Sequence, residues 1–260
     1  MKKIYIHTDM EGVSGVDRGE MVPYDSGDYA FCVKRLMADV NAAVDGALLG
    51  GADHVTVLDS HGGGGNFDLS LLDKRAEYDE KLNKKWWGKL DDSYWGSFFI
   101  GAHAMAGTLN GFLDHTMNSR QVLNFSINGR RVGELGIWAM VCAHFGVPMI
   151  MASGDQAAVH EAAQFFSGIE TAEVKAGLSR MKARLLPIDA AEERIRQAAK
   201  RAVEKTERPA LFKPLLPMEL KIEYMRGDFC DDAMAAKPEL ERLDVRAARK
   251  ISQTYLDYWV

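Results

Sequence analysis

Four short apolar runs in this chain each break off into polar side chains or glycine, and that recurrence constrains the fold more than any other feature. They are "IYI" at 4–6, "VTVL" at 55–58, "FFI" at 98–100 and "MIMA" at 149–152. Each has the length and the apolar composition of a buried strand bounded by turn residues. Between the first two lies "SGDYAFCVKRLMADVNAAVDGALL" at 26–49, with apolar residues at helical intervals and a stop at Gly50-Gly51. Strand, helix and strand in that order form a crossover unit, and such units build parallel sheets.

The remaining elements extend this pattern and then change it. Asn128-Gly129 lies between two alternating segments and predicts a hairpin, because both residues tolerate positive φ. A helix follows from about Gly133 to Phe145, closed by Gly146 and Pro148, and the strand "PMIMASGD" ends at Asp155, read as the N-cap of another helix. Beyond Leu186 the chain reads differently. "DAAEERIRQAAKRAVEK" is an amphipathic helix with Asp189 as its expected N-cap, and "LKIEYM" alternates inward Leu220, Ile222 and Tyr224 with outward Lys221 and Glu223. The last 22 residues are expected to start near a strand and end in a helix, and residues 67–94 to form helical pieces and loop. The fold class is therefore α/β, a mainly parallel or mixed sheet flanked by helices. Residues 1–155 are assigned to a metal-binding catalytic core and 156–260 to a smaller C-terminal α+β lobe.

Charge and cysteine usage exclude several functions. A formal net charge of −5 provides no overall basic field, so neither nucleic acid nor an anionic membrane is an expected partner. The N-terminal "MKKIYIHTDM" has no long apolar segment of the secretory kind, and no run approaches the length that spans a bilayer. Cys32, Cys142 and Cys230 are scattered, which fits a reducing compartment and excludes a thiolate zinc motif. The expected location is cytoplasmic, with all three thiols as packing residues.

In an open α/β sheet, ligands bind outside the carboxyl ends of the strands. The polar residues collect there. Asp9 and Glu11 follow the first strand, Asp59, Ser60 and His61 the second, His103 the third, and Glu134 opens the helix after the hairpin. In a strand, side chains at i and i+2 share a face, so Asp9 and Glu11 are expected to project together at the end of the first strand, where two anions repel unless a cation or a shared proton relieves them. Imidazoles and carboxylates without thiolate suit zinc or manganese in a hydrolytic site. The competing reading makes Asp9 a turn residue, Glu11 a solvated loop residue and each histidine a partner of backbone groups. His7 lies inside an apolar run and reads as packing, and His54, His144 and His160 fall at helix ends or faces and are left out. Gly62–Gly65 lacks the lysine of a phosphate loop and reads as a flexible border of the site. Trp86-Trp87 fits either a substrate or subunit surface or the core.

Six motifs, "DMEGVSG" at 9–15, "DSHGG" at 59–63, "GAHAMAG" at 101–107, "DHTM" at 114–117, "INGRRVGELG" at 127–136 and "SGD" at 153–155, occur in the order and spacing of one family. In them the chain resembles the D-aminopeptidase family associated with dipeptide transport, closely over residues 3–190 and loosely beyond. The resemblance implies an α/β zinc metallopeptidase that releases an N-terminal D-amino acid from short peptides. It also implies two zinc ions per subunit and a homo-oligomer, a decamer of two stacked pentameric rings. Carried over, the zinc ligands fall on Asp9, Glu11, His61, His103 and Glu134, and a catalytic histidine on His115. The glycine run at 62–65 and the stretch 66–96 depart from the family, which bears on substrate choice more than on metal chemistry.

The implied reaction is hydrolysis by metal-activated water, with His115, outside the ligand set, as acid/base or oxyanion partner. Either Asp9 or Glu11 would bridge the two ions. Two alternatives stand beside it: an amidase or peptidase acting on other small amides, L-peptides included, and a non-catalytic metal- or peptide-binding protein on the same scaffold.

Overall fold

The computed structural model describes residues 1–81 and 84–258. The chain begins with β1 (Lys3–Thr8), α1 (Tyr29–Leu49), β2 (His54–Asp59), β3 (Glu77–Tyr78) and β4 (Gly96–Ala102). A hairpin of β5 (Val122–Ile127) and β6 (Arg130–Arg131) leads into α2 (Glu134–His144), β7 (Met149–Asp155) and α3 (Gln156–Phe165). Then come β8 (Glu170–Ser179), β9 (Lys182–Leu185), α4 (Ile188–Glu204), β10 (Met218–Tyr224), α5 (Gly227–Ala236), β11 (Glu241–Arg242) and β12 (Ala247–Ser252).

Two sheets result. The larger has the order β3-β2-β1-β4-β7-β8-β9, parallel throughout except for the final pair. The smaller, β11-β12-β10-β5-β6, is antiparallel. The expected division after residue 155 does not coincide with the sheet boundary, since β8 and β9 complete the first sheet while β5 and β6 join the second.

Alternation along β1 explains the layering. Ile4 and Ile6 join Val55 and Val57 of β2 in a core with Leu36 and Val40 of α1 and Ile195 of α4. Tyr5 points the other way and packs with Phe99, with Leu135 and Trp138 of α2 and with Ala162 of α3. Helix α2 also presents Ile137 and Met140 to the smaller sheet. Lying between two sheets, it is buried at every position from Leu135 to Ala143, which is why its sequence is apolar on all sides.

The hairpin forms as expected, with Asn128 and Gly129 at φ 50° and 78° between β5 and β6. Asp155 caps α3 by accepting from Ala158 N at 3.1 Å. Some boundaries differ from expectation. Helix α4 begins two residues earlier, with Pro187 at the N-cap, so Asp189 sits in the first turn and caps nothing. Within 67–94 the chain forms a 3-10 turn at Leu69–Leu71 and strand β3, while positions 82 and 83 lie outside the described residues. After β12 the described chain ends in turns instead of a helix, and positions 259 and 260 lie outside it.

Candidate metal centre

β1 has β2 on one side and β4 on the other, so the chain reverses its direction of sheet growth at the β1/β4 edge. Loops leaving neighbouring strands at such a point diverge and open a crevice. Asp9 and Glu11 leave β1 here, His61 leaves β2 and His103 leaves β4.

β1 ends at Thr8, so Asp9 and Glu11 are brought together by a turn and not by strand alternation. The turn lies against β4: Asp9 N donates to Ile100 O and Gly12 N to Gly101 O, both at 2.8 Å. A Cβ on Gly12 would lie 2.0 Å from Ala102 O, and one on Gly101, at φ 79°, would lie 2.1 Å from Asp9 O. These contacts account for the glycines in "DMEG" and "GAH", since any larger residue would separate the two loops.

The expected side chains converge. His61 Nδ1 lies 2.8 Å from Asp9 Oδ1 and 3.1 Å from Glu11 Oε2. His103 Nε2 lies 3.3 Å from Asp9 Oδ2 and 3.2 Å from Glu134 Oε1, and His115 Nε2 lies 3.7 Å from that same glutamate oxygen. They form two groups, Asp9–Glu11–His61 and His103–His115–Glu134, each with candidate ligand atoms within 4.8 Å of one another. Asp9 turns one oxygen toward each group. All except His61, His115 and Glu134 are buried, and those three are largely so.

Hydrogen bonding shows that these groups suit a cation. His103 Nδ1 lies 3.1 Å from Ala104 O and His115 Nδ1 lies 2.7 Å from Leu113 O. A carbonyl only accepts, so each Nδ1 carries its hydrogen and each neutral ring turns a lone pair on Nε2 toward the carboxylates. His103 Nε2 and Glu11 Oε2 are buried without a hydrogen-bond partner. Lone pairs facing carboxylate oxygens repel, and a divalent ion between them converts that repulsion into ligation. Without an ion, protons must fill the role. Burial opposes charge on His61, yet Glu11 and Asp9 raise its pKa to about 12; burial likewise opposes charge on His103, which Glu134 and Asp9 hold well above the ordinary value. Burial raises the carboxyl of Glu134, but His103 outweighs it and pulls the value down to about 2. Glu11 is lowered for the same kind of reason, with burial overcome by His61, whereas burial and the charge of Glu11 raise Asp9.

The other residues singled out have structural tasks. Asp59 accepts from Asn66 N at 2.5 Å and Phe67 N at 3.0 Å, closing the glycine loop behind His61. His7 is buried and held neutral, its value pushed down to about 3 by burial, with its ring stacked on Trp138 at 4.2 Å. Trp86 packs edge-on to both, stacks on Tyr258 and, half-buried, also lines the small cavity beside the two groups, so it serves packing and the site wall together. All three cysteines are buried, and burial raises each thiol. Glu161 of α3 was not apparent from sequence: one oxygen accepts from Met105 N at 2.8 Å behind His103, the other has no partner, and burial raises its value to about 7. An acidic residue on an amphipathic helix reads as solvent-facing, so only the fold could reveal it.

A cavity of about 140 Å³ lies over both groups, lined by Asp9, Glu11, His61, His115 and Glu134. A larger one of about 640 Å³ shares Glu11, His61 and His115 with it and continues past the glycine loop to Arg120 and Arg180. The small cavity has room for ions and water, and the large one has the size of a small-ligand cleft.

A family model described as D-aminopeptidase matches residues 1–260, so the match extends through the C-terminal part. A D-aminopeptidase of Bacillus subtilis (strain 168) is 36% identical over 189 residues, 71% of this chain and 67% of that protein. The solved Zn-dependent D-aminopeptidase DppA from Bacillus subtilis, described as a self-compartmentalizing protease, superposes with a TM-score of 0.92 at 28% identity. That superposition covers 98% of this chain and 93% of the other. This chain belongs to the D-aminopeptidase family.

Proposed function

We propose that the protein is a zinc-dependent aminopeptidase that removes the N-terminal D-amino acid from short peptides. The observation that carries this reading is the pair of groups joined through Asp9, with His103 Nε2 turned toward two carboxylate oxygens and no donor between them. Asp9, Glu11 and His61 would hold one ion and His103 and Glu134 a second, with Asp9 facing both groups. Bound zinc supplies a water of lowered pKa and polarises the scissile carbonyl.

The chain's own groups do the rest. His115 donates its Nδ1 hydrogen to Leu113 O, so its Nε2 faces the small cavity as a base. It takes a proton from the attacking water at Nε2 and returns it to the departing amine nitrogen. The ring is stacked on His103 at 3.9 Å, and Glu134 Oε1 accepts from Met117 N at 2.8 Å, which ties the loop carrying His115 to α2. The peptide lies in the larger cavity. Arg120 has no ion-pair partner among the described residues, and Arg180, paired loosely with Asp114 at 3.5 Å, lines the same cavity. Two guanidiniums in the wall of this cavity suit the C-terminal carboxylate of a short peptide.

Arg120→Ala is accordingly expected to raise KM roughly tenfold for a dipeptide with a free carboxylate, with kcat nearly unchanged, and to leave the corresponding peptide amide unaffected. Equal effects on both substrates would remove Arg120 from substrate recognition. Turnover of D-Ala against L-Ala p-nitroanilide tests the stereochemistry: faster hydrolysis of the D form supports the reading, and preference for the L form moves it to the alternative of an L-peptidase or amidase.

Cytoplasmic location and assembly into a decamer of two five-membered rings belong to the same proposal. The self-compartmentalizing character of DppA supports a closed oligomer. Light scattering is expected to show ten chains per particle, and a mass of 28.9 kDa, that of one chain, would refute assembly.

A further inference from the structure

Lys175 is a charged residue that the reaction does not use. It lies on β8, opposite Asp155 of β7, and is fully buried. Burying a lysine is costly unless its donors are satisfied. Here Nζ donates to Glu11 O at 2.5 Å, Val16 O at 2.8 Å and Val13 O at 2.9 Å. An ammonium has three donors, and all three go to one turn, the turn that presents Glu11.

The amide side of the turn is held by an acid. Asp39, buried on α1, accepts from Ser14 N at 2.8 Å and from Ser14 Oγ at 2.6 Å. Arg35 Nη2 donates to the same Ser14 hydroxyl at 2.8 Å and pairs with Glu192 at 2.7 Å. Carbonyls are thus held from β8 and the amide and hydroxyl from α1. None of these groups lines the small cavity. Packing alone would not place a lysine here, since an apolar residue would fill the space without desolvating a charge.

We infer that Lys175, with Asp39 opposite it, is a positioning residue that holds the 11–16 turn so that Glu11 is aimed at the cation bound by Asp9, Glu11 and His61. This role rests on the metallopeptidase reading and extends it to residues that touch neither metal nor substrate. Glu11 Oε2, buried without a donor, marks the side chain whose direction the turn must set. Partners one step removed from a metal typically alter its affinity 10–100-fold. The second group, His103–His115–Glu134, is carried by the loop after β4 and by α2, and its side chains bond Ala104 O, Leu113 O and Met117 N instead of this turn.

The test is zinc affinity of the full-length protein, measured by chelator competition on wild type, Lys175→Met and Ser14→Ala. Wild type is expected to hold two zincs. Lys175→Met is expected to bind one of them 10–100-fold more weakly and the other unchanged, and Ser14→Ala to show a smaller loss at the same site. A melting temperature lowered in Lys175→Met with both affinities unchanged overturns the inference, because a purely structural lysine would do that. If Lys175→Met does not fold, Ser14→Ala decides: selective weakening of one zinc supports the role, and unchanged binding overturns it. Wild type that binds no zinc would overturn the metallopeptidase reading itself, whereas intact wild-type binding with intact variant binding overturns only the role of Lys175.

Discussion

The Asp9→Ala, Glu11→Ala double variant is expected to fold, to lose most of its zinc and to lose peptidase activity by roughly 10⁴-fold or more, the scale of forfeiting metal-activated water. The stability of the metal-free protein makes the result interpretable. In the metal-free protein Asp9 and Glu11 are buried around His61 Nδ1, at 2.8 and 3.1 Å, and the charge they hold on that ring offsets their mutual repulsion. Removing both relieves their mutual repulsion but forfeits the contacts of Asp9 with Met10 N at 2.9 Å, His61 Nδ1 at 2.8 Å and His103 Nε2 at 3.3 Å, and that of Glu11 with His61 Nδ1 at 3.1 Å. The metal-free double variant is therefore expected to stay folded with its stability lowered by about 1–3 kcal/mol relative to metal-free wild type, since relief of the repulsion offsets part of the lost pairing. A structural pair behaves in the opposite way, and a variant that keeps its zinc but melts much earlier would show Asp9 and Glu11 to be fold residues.

Second in size is His115→Ala, for which kcat is expected to fall about 10²–10⁴-fold, the usual range for a lost general acid or base, with zinc content preserved. The geometry sharpens this experiment. His115 Nε2 belongs to the same group as His103 and Glu134, so the distances alone admit it as a third ligand there. It is nevertheless the outermost member, 3.7 Å from Glu134 and in contact with both cavities, where a proton carrier must sit. Loss of one zinc equivalent in His115→Ala would make it a ligand and leave the proton step to another group.

Much of this site was legible because parallel-sheet physics places functional groups at strand ends. The apolar runs at 4–6, 55–58 and 98–100 located β1, β2 and β4, and their termini carried Asp9, His61 and His103. The grouping of Asp9 with Glu11 was anticipated for an incomplete reason: a turn against β4 joins them after the strand has ended. Which carboxylate faces both groups could not be read from spacing, because that depends on the separation of β1 and β4 loops. Lys175 was hidden for a related reason. A lysine within "TAEVKAGL" reads as an outward strand residue, and the carbonyls that accept it lie more than 150 residues earlier. Strands β8 and β9 are not legible in the sequence for different reasons: β8 breaks its alternation with a buried lysine among small residues, and β9 is four residues with charges at alternate positions. The smaller sheet is split in sequence between 122–131 and 218–252, so no linear boundary could describe it.

The central claim is that the two groups joined through Asp9 bind a pair of zinc ions, and zinc bound per chain measures it most directly. Protein stripped with chelator, reloaded and freed of excess zinc is expected to retain about two equivalents, with D-peptide hydrolysis returning as the second is filled. A protein that retains none after reloading, or that hydrolyses peptides at full rate without zinc, would contradict the account.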